Sequence, residues 1–150
     1  MPSINEELEH IIDEFGIRDN PEQERAVRIV GEHFILCSEE QLLMYLGGRA
    51  GTGKSYVIKA IIKLFKHCGY SDKLLVSAPT GCAAIFIEGY TIHALTFLPK
   101  SDYPLNHTEL QNIWKTVKYL IIDKVSMIGA LFLSQVSQQI CQAKGWDPTN

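Results

Sequence analysis

The sequence has no long apolar run, no secretory leader and no excess of basic residues. Gly, Pro or charged residues interrupt each apolar stretch well before the roughly 18 residues that a membrane-spanning helix needs. The acidic start, MPSINEELEH, lacks the apolar core of a secretory signal. The formal net charge is −3, so no broad polybasic surface predicts a membrane or nucleic-acid partner. A short local strip that contacts such a partner is still compatible with this charge. We expect an intracellular protein that is neither secreted nor bound to a membrane.

Closely spaced cysteine pairs are also missing, which excludes the common zinc-finger and redox motifs. Four cysteines lie far apart in the chain, at Cys37, Cys68, Cys82 and Cys141. A disulfide framework is not expected without a secretory leader. We predict reduced thiols that are mostly buried, since free cysteine is among the most buried residue types.

What the chain does contain is an alternation of helical and strand patterns over 150 residues, about the length of one domain. The predicted helices cover residues 4–15, 20–34, 54–68, 80–88, 110–117 and 126–143. The predicted strands cover residues 41–46, 73–78 and 118–123, and residues 100–107 form a predicted polar loop. Such alternation predicts an α/β domain with a parallel sheet flanked by helices and a short N-terminal helix. Three strands are few for such a sheet, so we expect an incomplete domain.

Several helix ends are marked by capping residues. Ser3 with Glu6 forms a capping box for the first helix, and Gly16 can end it. Asn20 followed by Pro21 predicts the start of the second helix. Gly69 is expected to end the helix over 54–68.

A phosphate-binding loop is predicted where an apolar strand runs into a helix. Eight consecutive residues fit G-x-x-x-x-G-K-[ST], namely Gly48, Arg49, Ala50, Gly51, Thr52, Gly53, Lys54 and Ser55. In this motif backbone N–H groups surround phosphate oxygens, and the following helix directs its positive end at the same anion. Lys54 would reach the β- and γ-phosphates, and the Ser55 hydroxyl would bind Mg²⁺. The alternative, a glycine-rich turn that matches by accident, is disfavoured by the strand before it and the helix after it.

An acidic residue closes the third predicted strand, YLIID, at Asp123. In P-loop enzymes an Asp at this place helps to hold Mg²⁺, although an Asp can also simply end a strand. The following residue is Lys124. A protonated amine cannot act as a base toward water. Lys124 could instead pair with the γ-phosphate, which favours binding over hydrolysis.

Three further stretches accompany the phosphate loop in a fixed order. They are NPEQ at 20–23, APTGCAA at 78–84 with GYTIH at 89–93, and DKVSM at 123–127. Together with the loop GRAGTGKS, this order resembles the Pif-one/RecD-like DNA helicases, the petite-integration-frequency family of superfamily 1B. The resemblance covers about residues 18–143. It implies a P-loop NTPase domain of the RecA-like kind that binds ATP with Mg²⁺ and contacts single-stranded DNA.

The resemblance also implies roles for single residues. Gln23 matches the family's Q motif, whose amide recognises adenine, although Asn20 and Gln23 also fit a helix capping box. The family's path for single-stranded DNA is lined by segments that match Thr80, Gly81, Thr91 and His93. The alternative to DNA contact is a structural role for the hydroxyl groups and for the histidine. Asp123 matches the family's motif II, and Lys124 departs from its usual Glu.

The resemblance divides the chain into an N-terminal extension, 1–17, a partial RecA-like helicase domain 1A, 18–145, and a tail, 146–150. The family's G-D-x-x-Q-L-P motif does not occur, so we expect a fragment of a 5′-to-3′ helicase. The resemblance implies a role in DNA repair, recombination or telomere maintenance, and a nuclear or mitochondrial location in a eukaryote. The alternative is a degenerate remnant that binds nucleotide without hydrolysing it. A GTPase or small-molecule kinase is disfavoured, because the chain has no N-K-x-D guanine motif.

Overall fold

The computed structural model describes residues 2–49, 53–87, 89–93 and 107–145. The chain divides into two compact units, one up to Ser71 and one from Asp72 onward. Among the described residues, no helix combines the length and apolar character needed to cross a bilayer. The predicted tail, 146–150, and nearly all of the predicted polar loop, 100–107, lie outside the described residues.

The described part of the first unit is built from three helices that pack on one another. They are α1 (Ile4–Glu14), α2 (Pro21–Ile35) and α3 (Lys54–His67). A short 3-10 turn, Ile17–Asp19, leads from α1 to α2. The core draws on all three helices and includes Leu8, Ile11, Ile12, Val27, Val57, Ile61, Leu64 and Phe65, each at most 2% exposed.

The predicted helix ends of this unit are confirmed. The Ser3 hydroxyl accepts the Glu6 N–H, and the Glu6 carboxylate accepts the Ser3 N–H at 2.6 Å. The Asn20 side chain accepts a backbone N–H in the first turn of α2. Gly16 and Gly69 have φ values of 62° and 77°, a left-handed conformation that costs glycine little and ends a helix well.

The prediction of a buried strand over 41–46 is wrong. The structure gives residues 41–49 no regular secondary structure, and Leu43 and Tyr45 are 83% and 76% exposed. A strand forms only where another strand offers hydrogen bonds. The described part of the first unit contains no other strand. The apolar pattern was sufficient for a strand prediction, but the pairing that stabilises a strand is absent there.

The second unit contains a parallel sheet of three strands, in the order β2-β1-β3. The strands are β1 (Leu74–Ala78), β2 (Tyr90–Thr91) and β3 (Tyr119–Ile122). The described part of this unit also contains the helices α4 (Gly81–Phe86), α5 (His107–Trp114) and α6 (Ala130–Lys144). The α/β class, the parallel sheet and the flanking helices are thus as predicted.

The core of the second unit lies where α5 and α6 meet the sheet. Trp114 is 2% exposed and clusters with Val117 and Ala143. Leu75 of β1 and Leu120 of β3, aligned in the sheet register, pack against this cluster. The last helix starts later than the predicted residue 126, because a left-handed residue and a 3-10 turn, Val125–Met127, follow β3.

The prediction that the thiols are mostly buried is also wrong. All four cysteines are unlinked, but Cys37 and Cys82 are exposed, and Cys68 and Cys141 are only half-buried. Cys37 follows the end of α2 with a φ of 47°, and Cys82 lies in the first turn of α4. Both positions lie at helix ends, outside the buried cores. Burial raises the pKa of the Cys68 thiol, and the nearby Glu7 raises it further.

Candidate nucleotide site

The predicted phosphate loop ends at the first turn of α3. Gly53 is the N-cap of this helix with φ 84°, and its carbonyl accepts the N–H groups of Tyr56 at 3.1 Å and Val57 at 3.2 Å. The first turn of α3 contains no acidic residue, whereas α1 and α2 both start with glutamates. A helix N-terminus without an acidic side chain leaves its positive end available to an anion. Ala50, Gly51 and Thr52 lie outside the described residues.

The ammonium group of Lys54 turns back over the loop. Its Nζ donates to the carbonyl oxygens of Gly48 and Arg49, the latter at 3.0 Å. Both acceptors are neutral, and a phosphate oxygen would be the stronger partner for an ammonium group. Ser55, the next residue of the motif, is half-buried in the first turn of α3.

Gln23 lies beside the end of the same loop. Its backbone N–H donates to the Asn20 side chain at 3.2 Å, while its side-chain amide lies 3.5 Å from the Gly53 carbonyl, a long contact. The helix cap therefore uses the backbone of Gln23 and leaves its side chain to the loop. A Cβ at Gly53 would lie 2.1 Å from the Gln23 Nε2 atom, so the two residues approach as closely as a glycine permits.

Asp123 lies at the carboxyl end of β3 in the second unit. Its N–H donates to the Ser77 carbonyl at 2.8 Å, which extends the pairing with β1 by one residue. Asp123 is 8% exposed, and one of its carboxylate oxygens accepts the Lys124 N–H at 3.0 Å. Lys124 adopts φ 54°, unusual for a residue other than glycine, and is exposed.

The four residues predicted to contact DNA lie near the carboxyl ends of β1 and β2. Thr80 is exposed, and its hydroxyl accepts the N–H of Ala83 at 3.3 Å, so it caps α4. Gly81 opens α4, and Thr91 pairs with Ala78 in the sheet. The His93 ring stacks on Phe132 of α6 at 4.5 Å. Ligands of open α/β sheets bind outside the carboxyl ends of the strands, the edge where these residues and Asp123 lie.

Sequence reasoning missed two close contacts in this unit. A Cβ at Gly89 would lie 2.5 Å from the Val76 carbonyl oxygen, so the residue just before β2 approaches β1 at a distance that only glycine allows. Ser77 is fully buried, and its hydroxyl donates to the Ile121 carbonyl at 2.9 Å. A serine inside the apolar strand LLVSA could have indicated the second contact, since a buried hydroxyl needs a partner.

The oxygen donors predicted for magnesium suit that ion by their chemistry. Ser55 supplies a hydroxyl in the first unit, and Asp123 supplies a carboxylate in the second. Within the described ranges, no group of three or more His, Cys, Asp or Glu side chains could hold a metal ion. Mg²⁺ bound with substrate phosphates needs only one or two protein oxygens, so each of these residues by itself offers a suitable ligand.

A family comparison agrees with this combination of a phosphate loop and a parallel sheet. The sequence model of the PIF1-like helicases matches residues 19–145. The chain belongs to the PIF1-like helicase family. Its three parallel strands and flanking helices are accordingly part of a RecA-like P-loop NTPase fold, as predicted from the motifs.

Individual relatives of this helicase family are similar over most of the chain. The ATP-dependent DNA helicase PIF1 of Emericella nidulans is 36% identical over 100 residues, which are 59% of this chain and 13% of the relative. The ATP-dependent DNA helicase RRM3 of Saccharomyces cerevisiae is 27% identical over 125 residues, 78% of this chain and 16% of the relative. PIF1 of Mus musculus is 32% identical over 111 residues, 67% of this chain and 16% of the relative.

The chain thus spans only about a sixth or less of the length of these PIF1-like relatives. No solved structure matches it significantly.

Proposed function

We propose that this chain is the nucleotide-binding part of an ATP-dependent DNA helicase. Residues 48–55 bind the phosphates of ATP, and the first domain contributes to single-stranded DNA binding. The proposal rests on the family match together with the arrangement of Lys54, Gly53 and Gln23 at the start of α3. DNA repair, recombination and telomere maintenance are the processes that the resemblance suggests for the whole helicase.

The observation that carries the proposal is the position of the Lys54 ammonium group over the loop. Lys54 lies where the loop enters α3, whose first turn has no acidic residue, and its Nζ donates to the carbonyl oxygens of Gly48 and Arg49 at the start of the loop. When a phosphate enters, Lys54 exchanges these neutral acceptors for charged oxygens, which form stronger hydrogen bonds. The helix N-terminus adds N–H donors and a favourable dipole.

Mg²⁺ is proposed as the cofactor, with Ser55 and Asp123 as the protein residues that would hold it. The bound ion would neutralise charge on the β- and γ-phosphates. Ser55 directly follows Lys54 in the motif, and the buried Asp123 has one carboxylate oxygen occupied by the Lys124 N–H. This assignment follows the family motifs. For the base of the nucleotide, we propose that the Gln23 side chain favours adenine, since the helix cap does not use that side chain.

Lys124 favours nucleotide binding without efficient hydrolysis. A general base typically contributes about 10²–10⁴-fold in rate, and a protonated amine cannot fill that role. The exposed Lys124 side chain has the right charge for the γ-phosphate and the wrong charge for activating water. A second candidate function, a remnant that holds ATP without turning it over, is therefore supported by this residue.

The contribution to DNA binding is proposed for Thr80, Gly81, Thr91 and His93. Hydroxyl groups and backbone N–H groups bind phosphates without reading sequence, and an imidazole can stack on a base. The exposure of Thr80 and Gly81 supports such contacts. The stacking of His93 on Phe132 occupies one face of the imidazole, so that face is not available to a base.

The test of the proposed function is calorimetric titration of the folded chain with Mg–ATP, compared with Lys54→Ala. The substitution removes charge-assisted hydrogen bonds worth about 1.5–3 kcal/mol, so affinity should fall roughly 10- to 100-fold. Lys66→Ala is the matched control, since it removes the same charge from an exposed position near the other end of α3. Equal affinity of wild type and Lys54→Ala would refute nucleotide binding at this loop.

A further inference from the structure

Helix α1 precedes the residues that the PIF1-like family model matches, yet it is part of the folded unit that contains the phosphate loop. The family match begins at residue 19, whereas α1 covers Ile4–Glu14. Leu8, Ile11 and Ile12 of α1 are fully buried. A Cβ at Gly31 of α2 would lie 2.7 Å from a methyl group of Leu8, so α1 and α2 are in close contact. The segment before the family domain is therefore integral to this unit.

The carboxyl end of α1 contacts the first turn of α3 through one tyrosine. The Tyr56 hydroxyl donates to the Phe15 carbonyl at 2.8 Å, and the two rings lie 5.1 Å apart at 60°. Tyr56 directly follows Ser55, and its own N–H donates to the Gly53 carbonyl at 3.1 Å. Tyr56 is thus bound by its backbone to the last glycine of the phosphate loop and by its side chain to the end of α1.

We infer that the contact between Phe15 and Tyr56 is a positioning contact, through which α1 orders the phosphate-binding turn before nucleotide arrives. An anion at a helix N-terminus is bound by the N–H groups of the first turn, which must all point at it together. A site ordered in advance does not lose that conformational freedom on binding, and its affinity is higher for that reason. The inference deepens the proposed function and rests on it.

The other contacts of α1 make it a firm support for this turn. Glu9 pairs with Arg28 of α2 at 2.5 Å and with Arg18 at 2.6 Å. Hydrogen bonds from Arg28 and, to a smaller extent, from Arg18 lower the pKa of the Glu9 carboxyl to about 2. Glu14 pairs with Lys63 in the middle of α3. Helix α1 is therefore tied to α2 and α3 by ion pairs as well as by the Tyr56 contact.

The test compares Tyr56→Phe with Tyr70→Phe in the full chain. Tyr56→Phe deletes the hydroxyl that reaches Phe15 and keeps the ring. Tyr70, just beyond the other end of α3, is 40% exposed against 43% for Tyr56, and its ring also packs on a phenylalanine. The two substitutions make the same chemical change at matched sites, and neither residue belongs to the phosphate-loop motif.

Two measurements are made well below the melting temperature of each variant. In nucleotide-free protein, Tyr56→Phe should speed hydrogen exchange of the amides of residues 56 and 57, which donate to Gly53, by about three- to tenfold. The dissociation constant of Mg–ATP should rise by a similar factor. Tyr70→Phe should change neither quantity, and Glu14→Gln, which removes a pair between the same two helices, should leave both unchanged.

Each outcome decides the inference. If the wild type binds Mg–ATP and Tyr56→Phe binds it equally tightly, the positioning contact is refuted while the proposed function stands. Equal losses of affinity in Tyr56→Phe and Glu14→Gln would also refute it, because general loosening between α1 and α3 would then be the cause. If the wild type binds no Mg–ATP, the proposed function fails and this inference fails with it. Faster exchange and weaker binding in Tyr56→Phe alone support it.

Discussion

The start of α2 offers a test that separates folding from nucleotide recognition at neighbouring residues. The Asn20 side chain accepts the backbone N–H of Gln23, whereas the Gln23 side chain lies at the Gly53 carbonyl. Asn20→Ala removes the cap and should cost about 1 kcal/mol of unfolding free energy. For a domain of this size that loss lowers the melting temperature by roughly 2–4 °C. Gln23→Ala keeps the cap, because alanine retains the N–H, and should leave the melting temperature nearly unchanged.

In the nucleotide titration, Gln23→Ala rather than Asn20→Ala should have the larger effect. If the Gln23 amide recognises adenine, Gln23→Ala should abolish the preference for ATP over GTP, and Asn20→Ala should retain it. Thermal melts and calorimetric titrations with both nucleotides on the same three proteins complete the comparison. The reasoning is refuted if Gln23→Ala melts as early as Asn20→Ala while its ratio of ATP to GTP affinity equals that of the wild type. Gln23 would then be a structural residue of the helix start.

Two further predictions concern the second unit. Lys124→Glu should add little ATPase activity to this chain. In a longer protein that carries a relative's remaining domains, the same substitution should raise the ATPase activity stimulated by single-stranded DNA by at least about 10²-fold. Comparable robust turnover with either residue in the longer protein would contradict our interpretation of Lys124. Gly89→Ala should destabilise the protein by about 1–3 kcal/mol in denaturant titrations, since its Cβ would overlap the Val76 carbonyl oxygen. Gly81→Ala is the control, with no atom within 4 Å of the new Cβ, and equal stability of both variants would show that β2 can shift without cost.

The sequence predicted local features well, because their physical causes are local. Helix starts at Ser3 and Asn20 depend on side chains that bond N–H groups three residues away, and Gly16 and Gly69 supply the conformation that ends a helix. The apolar strands β1 and β3 were found for a similar reason, since continuous apolar runs of this length are typical of buried parallel strands.

Features that depend on distant partners could not be predicted in this way. The segment over 41–46 has the apolar pattern of a strand, but a strand also needs a neighbour, which the pattern does not reveal. The two-residue strand β2 has no pattern of its own and exists through its pairing with β1. For Gln23, two roles were compatible with one sequence. Only the positions of its backbone and its side chain show that the cap and the loop contact use different atoms.

The exposed segment over 41–46 has a consequence for how this protein behaves at high concentration. Its sequence, QLLMYL, contains no charge, no proline and no glycine, and Leu43 and Tyr45 extend into solvent. Short uncharged segments with these properties readily pair with copies of themselves as intermolecular β-strands. Because the segment is already exposed in the folded chain, such pairing requires no unfolding. We therefore expect this segment to favour self-association of the chain, and a mutation that stabilises the helical core would leave the exposure of Leu43 and Tyr45 unchanged.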